Sequence, residues 1–219
     1  MLKANNIKKS YGELPVLKGV DISIPRGEVI SIVGSSGAGK STLLHILGTL
    51  DTPDVGEVYL DGMNISRLKK TELAKIRNEK MGFIFQFHNL LPEFTALENI
   101  CIPGYIGKKD ERKLKQRAAD LMKALGIDKR MDHKPAQLSG GEQQRVAVAR
   151  SLINNPQIIF ADEPSGNLDS RNARELHELF FELKERFHQT FVIVTHNEDL
   201  AVMADRKLVM ADGMIIQSV

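Results

Sequence analysis

The chain has 219 residues, 42% apolar and 26% charged, which suits one globular domain with a substantial core. Its 30 Lys and Arg against 28 Asp and Glu leave a formal net charge of +2, so the clustered basic excess of a nucleic-acid binder is missing and nucleic acid is not an expected partner. The lone Cys101 allows no internal disulfide and fits a reducing compartment, and no run reaches the roughly 18 to 20 apolar residues that span a bilayer.

In chain order, the opening Met1–Asn6 carries no apolar signal core. Val20-Asp21-Ile22-Ser23-Ile24 alternates and predicts a half-exposed antiparallel strand, whereas the branched run Val29–Val33 predicts a buried central one. A glycine-rich turn follows, then a helix over Ser41–Leu47. Glu57–Leu60 alternates again before the turn Asp61-Gly62, and Met81–Phe85 reads as a strand. From about 89 to 155 helices dominate. Leu114, Ala118, Leu121, Met122 and Leu125 form one apolar stripe there, and Ser139 caps a helix running to about Asn154. Beyond it, Ile158–Ala161 and Phe191–Val194 are short enough and apolar enough for buried strands. Between them Leu176, Leu179, Phe180, Leu183 and Phe187 step by helical spacing over Ser170–Phe187. The tail, Leu208–Met210, Asp212-Gly213 and Met214–Ile216, predicts a final hairpin. Strands alternating with helices predict an α/β fold with a mostly parallel central sheet, an antiparallel β portion and an inserted helical lobe. The expected organisation is a single domain, with a core of 1–88 and 156–219 and a helical subdomain over about 89–155.

Gly34-Ser35-Ser36-Gly37-Ala38-Gly39-Lys40-Ser41 fits G-x-x-x-x-G-K-[ST], the phosphate loop. Glycines let successive N–H groups turn inward on phosphate oxygens, and the following helix adds the positive end of its dipole. Lys40 is expected on the β- and γ-phosphates and the Ser41 hydroxyl on Mg²⁺, so ATP and Mg²⁺ are the expected cofactors. Thr42, in the same first turn, is counted with the nucleotide contacts. Ile158-Ile159-Phe160-Ala161-Asp162-Glu163 is an apolar strand ending in two carboxylates. At the carboxyl end of a parallel strand Asp162 is placed to hold Mg²⁺, and Glu163 to act as general base on the attacking water.

Leu138-Ser139-Gly140-Gly141-Glu142-Gln143-Gln144 resembles the signature sequence of ABC ATPases. Its helix N-terminus, with Ser139, Gly140, Gly141 and Glu142, is expected to make a second anion site in a chain that already has one. The resemblance covers nearly the whole chain and implies a P-loop NTPase core of the ABC type that hydrolyses ATP. It carries four further roles onto this sequence. Tyr11 matches the aromatic that stacks on adenine. Gln86 matches the Q-loop glutamine, which senses Mg²⁺ and the attacking water. Ser165-Gly166-Asn167-Leu168-Asp169 matches the D-loop, and His196 the switch histidine on the γ-phosphate. The resemblance also implies a head-to-tail homodimer when ATP is bound. Two departures, Ser165 where threonine is commoner and Asn197 where aspartate is commoner, remove no group that hydrolysis needs.

After Gln86, Phe87, Leu90, Leu91 and Phe94 form an apolar cluster where ABC ATPases dock their membrane subunits. That segment, together with Leu43–Pro53 and Ile106–Lys109, resembles the ATPases of lipoprotein-releasing (Lol) complexes. This implies Lol-type (LolC/LolE-like) integral membrane partners, a peripheral place on the cytoplasmic face of the bacterial inner membrane, and lipoprotein release as the task. Macrolide-export-type and cell-division-type ABC systems are the alternatives. A non-transport ABC ATPase is disfavoured, because the chain has one cassette, no sustained heptads and no cysteine cluster.

Overall fold

The computed structural model describes residues 1–219. The chain runs β1 (Leu2–Tyr11), β2 (Leu14–Ile24), β3 (Val29–Gly34), α1 (Lys40–Leu47), β4 (Val55–Leu60), β5 (Met63–Asn64), α2 (Lys70–Lys80) and β6 (Met81–Phe85). It continues through α3 (Ala96–Ile106), α4 (Glu111–Ala124), α5 (Gly140–Leu152), β7 (Ile158–Asp162) and α6 (Ser170–Phe187). The last elements are β8 (Thr190–Val194), α7 (Glu198–Met203), β9 (Arg206–Ala211) and β10 (Met214–Ser218). Two compact units form, Met1–Ala74 with Phe181–Val219, and Lys75–Phe180. No helix is long and apolar enough to cross a membrane.

The first unit holds an antiparallel sheet in the order β2-β1-β4-β5 and a sheet portion in the order β10-β9-β3-β8. In the second portion β3 runs parallel to both β8 and β9, and β9 turns back into β10. Five of the six β3 residues are buried, as a central strand requires. The β9–β10 turn is Asp212-Gly213, with φ of 47° and 80°, the left-handed pair that a tight hairpin turn needs.

The sequence reading misses β1. Its inward side is Leu2, Ala4, Ile7 and Lys9, with the alternation slipped by a bulge at Asn5-Asn6. Asn6 takes φ 48°, and its N–H is held by Asp21 Oδ1 at 2.9 Å. Two asparagines in mid-strand hide the period. Strand β2 is likewise longer than the alternating Val20–Ile24 segment.

In the second unit β6 and β7 pair in parallel, and α3, α4 and α5 supply the helices expected over 89–155. The predicted stripe of α4 is buried, including Leu125 just past its end. Gly104 on α3 leaves room for Leu114 of α4, which any side chain there would meet. Helix α6 has the predicted bounds, but Phe187 in its last turn is 51% exposed, so the buried stripe ends at Leu183.

Candidate active site

In the first unit, the phosphate loop connects the end of β3 to α1. Gly34, Gly37 and Gly39 take φ of 150°, 80° and 95°. A Cβ on Gly34 would collide with the Met210 carbonyl, and one on Gly39 would meet Leu17 Cδ2 at 2.8 Å. Gly37 has open space and is needed for its backbone angle alone. Gly39 is the N-cap of α1 without a side-chain cap, and no acidic residue lies in the first turn. The free helix end is therefore suited to an anion. The Lys40 ammonium folds over the loop, donating to the carbonyls of Gly34 and Ser35, both at 2.9 Å. Ser41 and Thr42 occupy the same turn.

Parallel register sets the other groups of this unit. Ile32 pairs with Val194, so His196 lies just beyond the carboxyl end of β8, level with Gly34, the last residue of β3. Thr195 N–H donates to Ile32 O at 3.1 Å, and Asn197 caps α7 by accepting from Leu200 N–H at 2.9 Å. His196 is thus held between a strand end and a capped helix. Asn197, the departure noted above, performs the cap as an aspartate would. Tyr11 ends β1, and its hydroxyl donates to Asp51 Oδ2 at 2.6 Å.

The second unit repeats the logic. Phe85 pairs with Asp162, so Gln86 and Glu163 follow at one level beyond β6 and β7. Glu163 has φ 46°, a left-handed backbone uncommon outside glycine, and its carbonyl accepts from Gly166 N–H at 3.0 Å. Gln86 and Asn167 exchange hydrogen bonds, Gln86 Nε2 to Asn167 Oδ1 and Asn167 Nδ2 to Gln86 O, each at 3.1 Å. The segment after β6 is thereby tied to the turn after β7. Ser165 Oγ meets the buried His177 ring at 3.0 Å.

Ser139 caps α5 as expected, in a reciprocal box. Its hydroxyl accepts from Glu142 N–H at 3.3 Å, and Glu142 Oε2 accepts from Ser139 N–H at 2.8 Å. The other Glu142 oxygen takes Arg130 Nε at 2.7 Å. The Arg130 bond first, then the Ser139 N–H, hold the Glu142 carboxyl below the usual range. Gly140 and Gly141 complete the first turn, and a Cβ on Gly141 would press on Asn172 Oδ1 at 2.7 Å.

Of the apolar cluster after Gln86, Phe87 (70%), Leu91 (43%) and Phe94 (42%) are exposed, whereas Leu90 is half-buried. Its backbone is held from two helices. Arg150 on α5 donates to His88 O and Asn89 O, both at 2.7 Å. Asn99 on α3, fully buried, donates to Leu91 O, Phe94 O and Thr95 O at 3.1, 3.1 and 3.0 Å and accepts from Leu91 N–H at 2.8 Å. Burial keeps the His88 imidazole below its ordinary pKa; a hydrogen bond with Gln143 opposes the shift, and repulsion from Arg150 adds to it. The sequence reading does not single out Asn99, Arg150 or Arg130, because each acts on residues several to many positions away.

No group of three or more His, Cys, Asp or Glu gathers as a metal site.

The family model for ABC transporters matches residues 17–166. The chain belongs to the ABC transporter family. It is 62% identical over 99% of its length to the lipoprotein-releasing system ATP-binding protein LolD of Cytophaga hutchinsonii, 99% of which is covered. It is 58% identical over 99% of its length to LolD of Bacteroides fragilis, covered completely. Among solved structures, the dimeric post-hydrolysis state of the ATP-binding cassette MJ0796 with ADP and Pi superposes with a TM-score of 0.91. That cassette is 42% identical, and the match covers 100% of this chain and 98% of the other. As an ABC cassette the protein binds nucleotide and is an ATPase.

Proposed function

We propose that the chain is the ATP-hydrolysing subunit of a lipoprotein-releasing complex, working through integral membrane subunits of the LolC/LolE type from the cytoplasmic face of the inner membrane. The observation that carries this reading is the 62% identity to a LolD over essentially both full lengths. The exposed Phe87, Leu91 and Phe94 on a backbone already held by Asn99 and Arg150 support docking to membrane subunits, with the helical stretch 89–155 as the receiving lobe.

In the proposed mechanism Lys40 neutralises β- and γ-phosphate oxygens, and backbone N–H groups from Gly34 to Thr42 cradle the phosphates. Mg²⁺, when bound, supplies positive charge to the same oxygens, and Ser41, Asp162 and Gln86 would hold it. Glu163 accepts the proton of the attacking water while His196 steadies the γ-phosphate. Two copies close head to tail, so that Ser139, Gly140, Gly141 and Glu142 of one present their helix end to the nucleotide of the other. Closure and reopening drive the membrane subunits.

The test is reconstitution. The chain is co-purified with its candidate membrane subunits in proteoliposomes, and release of a labelled lipoprotein is followed on adding Mg-ATP. Release by the wild type and none by Glu163→Gln supports the proposal. ATP hydrolysis without release moves the assignment to an export or cell-division relative.

A further inference from the structure

The end of β1 carries a side-chain cluster that the reaction above does not use. Lys9 faces inward and is only 9% exposed, so its charge must be matched. It donates to Thr52 O at 2.8 Å and to Asp54 Oδ1 at 3.3 Å, and lies 3.5 Å from Asp51 Oδ1. The same ammonium stands 5.3 Å from the centroid of the Tyr11 ring, within cation–π range. Asp51 accepts the Tyr11 hydroxyl at 2.6 Å, a short charge-assisted bond. Asp51 in turn is fixed by Thr52 N–H at 2.7 Å, and Asp54 by Ser10 N–H at 2.7 Å. The 51–54 loop therefore wraps the strand end at several points.

The Tyr11 ring is 51% exposed although its hydroxyl and one neighbour are bound. An exposed tyrosine on a free strand end would sample several rotamers; this one is tied at its tip. Moreover, α1 begins at the phosphate loop and leads directly into the loop that holds Asp51, with Leu50 N–H and Asp51 N–H both donating to His45 O. The phosphate cradle and the ring are thus joined through one short helix.

We infer that, with Tyr11 as the platform for the nucleotide base, Asp51 and Lys9 are the residues that position it: Asp51 locks the Tyr11 phenol by its hydroxyl, and Lys9, two residues earlier on β1, attends the ring. The inference rests on the ATP-binding reading and on Tyr11 as the base platform.

The experiment compares ATP with inorganic tripolyphosphate, which has phosphates and no base. Tyr11→Phe removes one oxygen and keeps the ring; Asp51→Ala removes the acceptor. Each is expected to raise KM for ATP about three- to tenfold, while the inhibition constant of Mg-tripolyphosphate stays within twofold of wild type. The double variant is expected to be no worse than Asp51→Ala alone, because Tyr11→Phe removes only a bond that Asp51→Ala has already cut. Lost tripolyphosphate affinity in step with ATP would mean a general structural defect and would overturn the inference. Unchanged KM in both single variants would overturn it as well. Tyr11→Ala separates the layers. If it raises KM for ATP while Tyr11→Phe and Asp51→Ala do not, the platform stands and the clamp fails. If Tyr11→Ala has no effect on ATP relative to tripolyphosphate, platform and clamp fail together. A wild-type chain that hydrolyses no ATP defeats the functional reading itself.

Discussion

Asn99→Ala tests whether the exposed 87–95 segment, the proposed docking surface, is a fixed mount. Asn99 makes four side-chain hydrogen bonds to the Leu91–Thr95 backbone. In its absence Leu91 O still receives Phe94 N–H at 3.2 Å and Thr95 O still receives Asn99 N–H at 2.9 Å. Leu91 N–H and Phe94 O would lose their side-chain partner. An orphaned polar group costs about 1–3 kcal/mol, and the exposed side of this loop lets water recover part, so the expected destabilisation is about 2–4 kcal/mol. For a chain of this size that lowers Tm by about 5–15 °C. Urea unfolding of the isolated chain measures the loss, and hydrogen exchange locates it, with the amides of residues 87–95 losing protection first. Asn99→Asp should be worse than alanine at neutral pH, because it turns a carboxylate towards three carbonyl oxygens. A loss under about 1 kcal/mol in both variants, with unchanged exchange in the loop, would refute the reasoning.

Further outcomes follow from the same structure. Gly34→Ala, whose new Cβ would strike the Met210 carbonyl at φ 150°, should fail to accumulate as folded protein or unfold at markedly lower urea; a wild-type unfolding curve would contradict it. Ser139→Ala removes one half of the α5 capping box and should cost about 1 kcal/mol by thermal unfolding. The His88 imidazole has its folded pKa below the ordinary 6.5, because burial, the largest cause, together with Arg150 outweighs the opposing hydrogen bond with Gln143. Full stability is therefore present above 6.5, and part is lost as pH falls through the folded value; His88→Gln should flatten that slope. Phe94→Glu places a charge on the docking segment and should abolish stimulation of ATPase activity by the membrane subunits, measured in reconstituted complexes.

The strands that position the chemistry were readable because β3, β7 and β8 are short runs of branched residues buried on both faces. Helix α6 was readable because Leu176, Leu179, Phe180 and Leu183 keep helical spacing and all are buried. Strand β1 was not, since Asn5-Asn6 shifts its register and a lysine occupies an inward position. Helix α2 buries no residue, so it has no stripe to find. In α3, Pro103 inside the helix argues locally against the element that forms. Among the expected functional groups, the contiguous motifs are legible because a phosphate loop or a capped helix end is local chemistry. The groups that hold those motifs in place did not. Arg150 reaches His88, Arg130 reaches Glu142 and Asp51 reaches Tyr11 across separations that no local pattern encodes.

With Glu163 as the proposed general base, its backbone, at φ 46°, sets folding and turnover against each other. A left-handed conformation costs a residue with a long side chain about 1 kcal/mol, and glycine or asparagine much less. A library randomised at 163 and sorted for thermal survival alone would therefore enrich glycine and asparagine. The same library sorted for ATP turnover would return glutamate, so the distance between the two winners gauges how much heat tolerance this cassette forgoes to place one carboxylate.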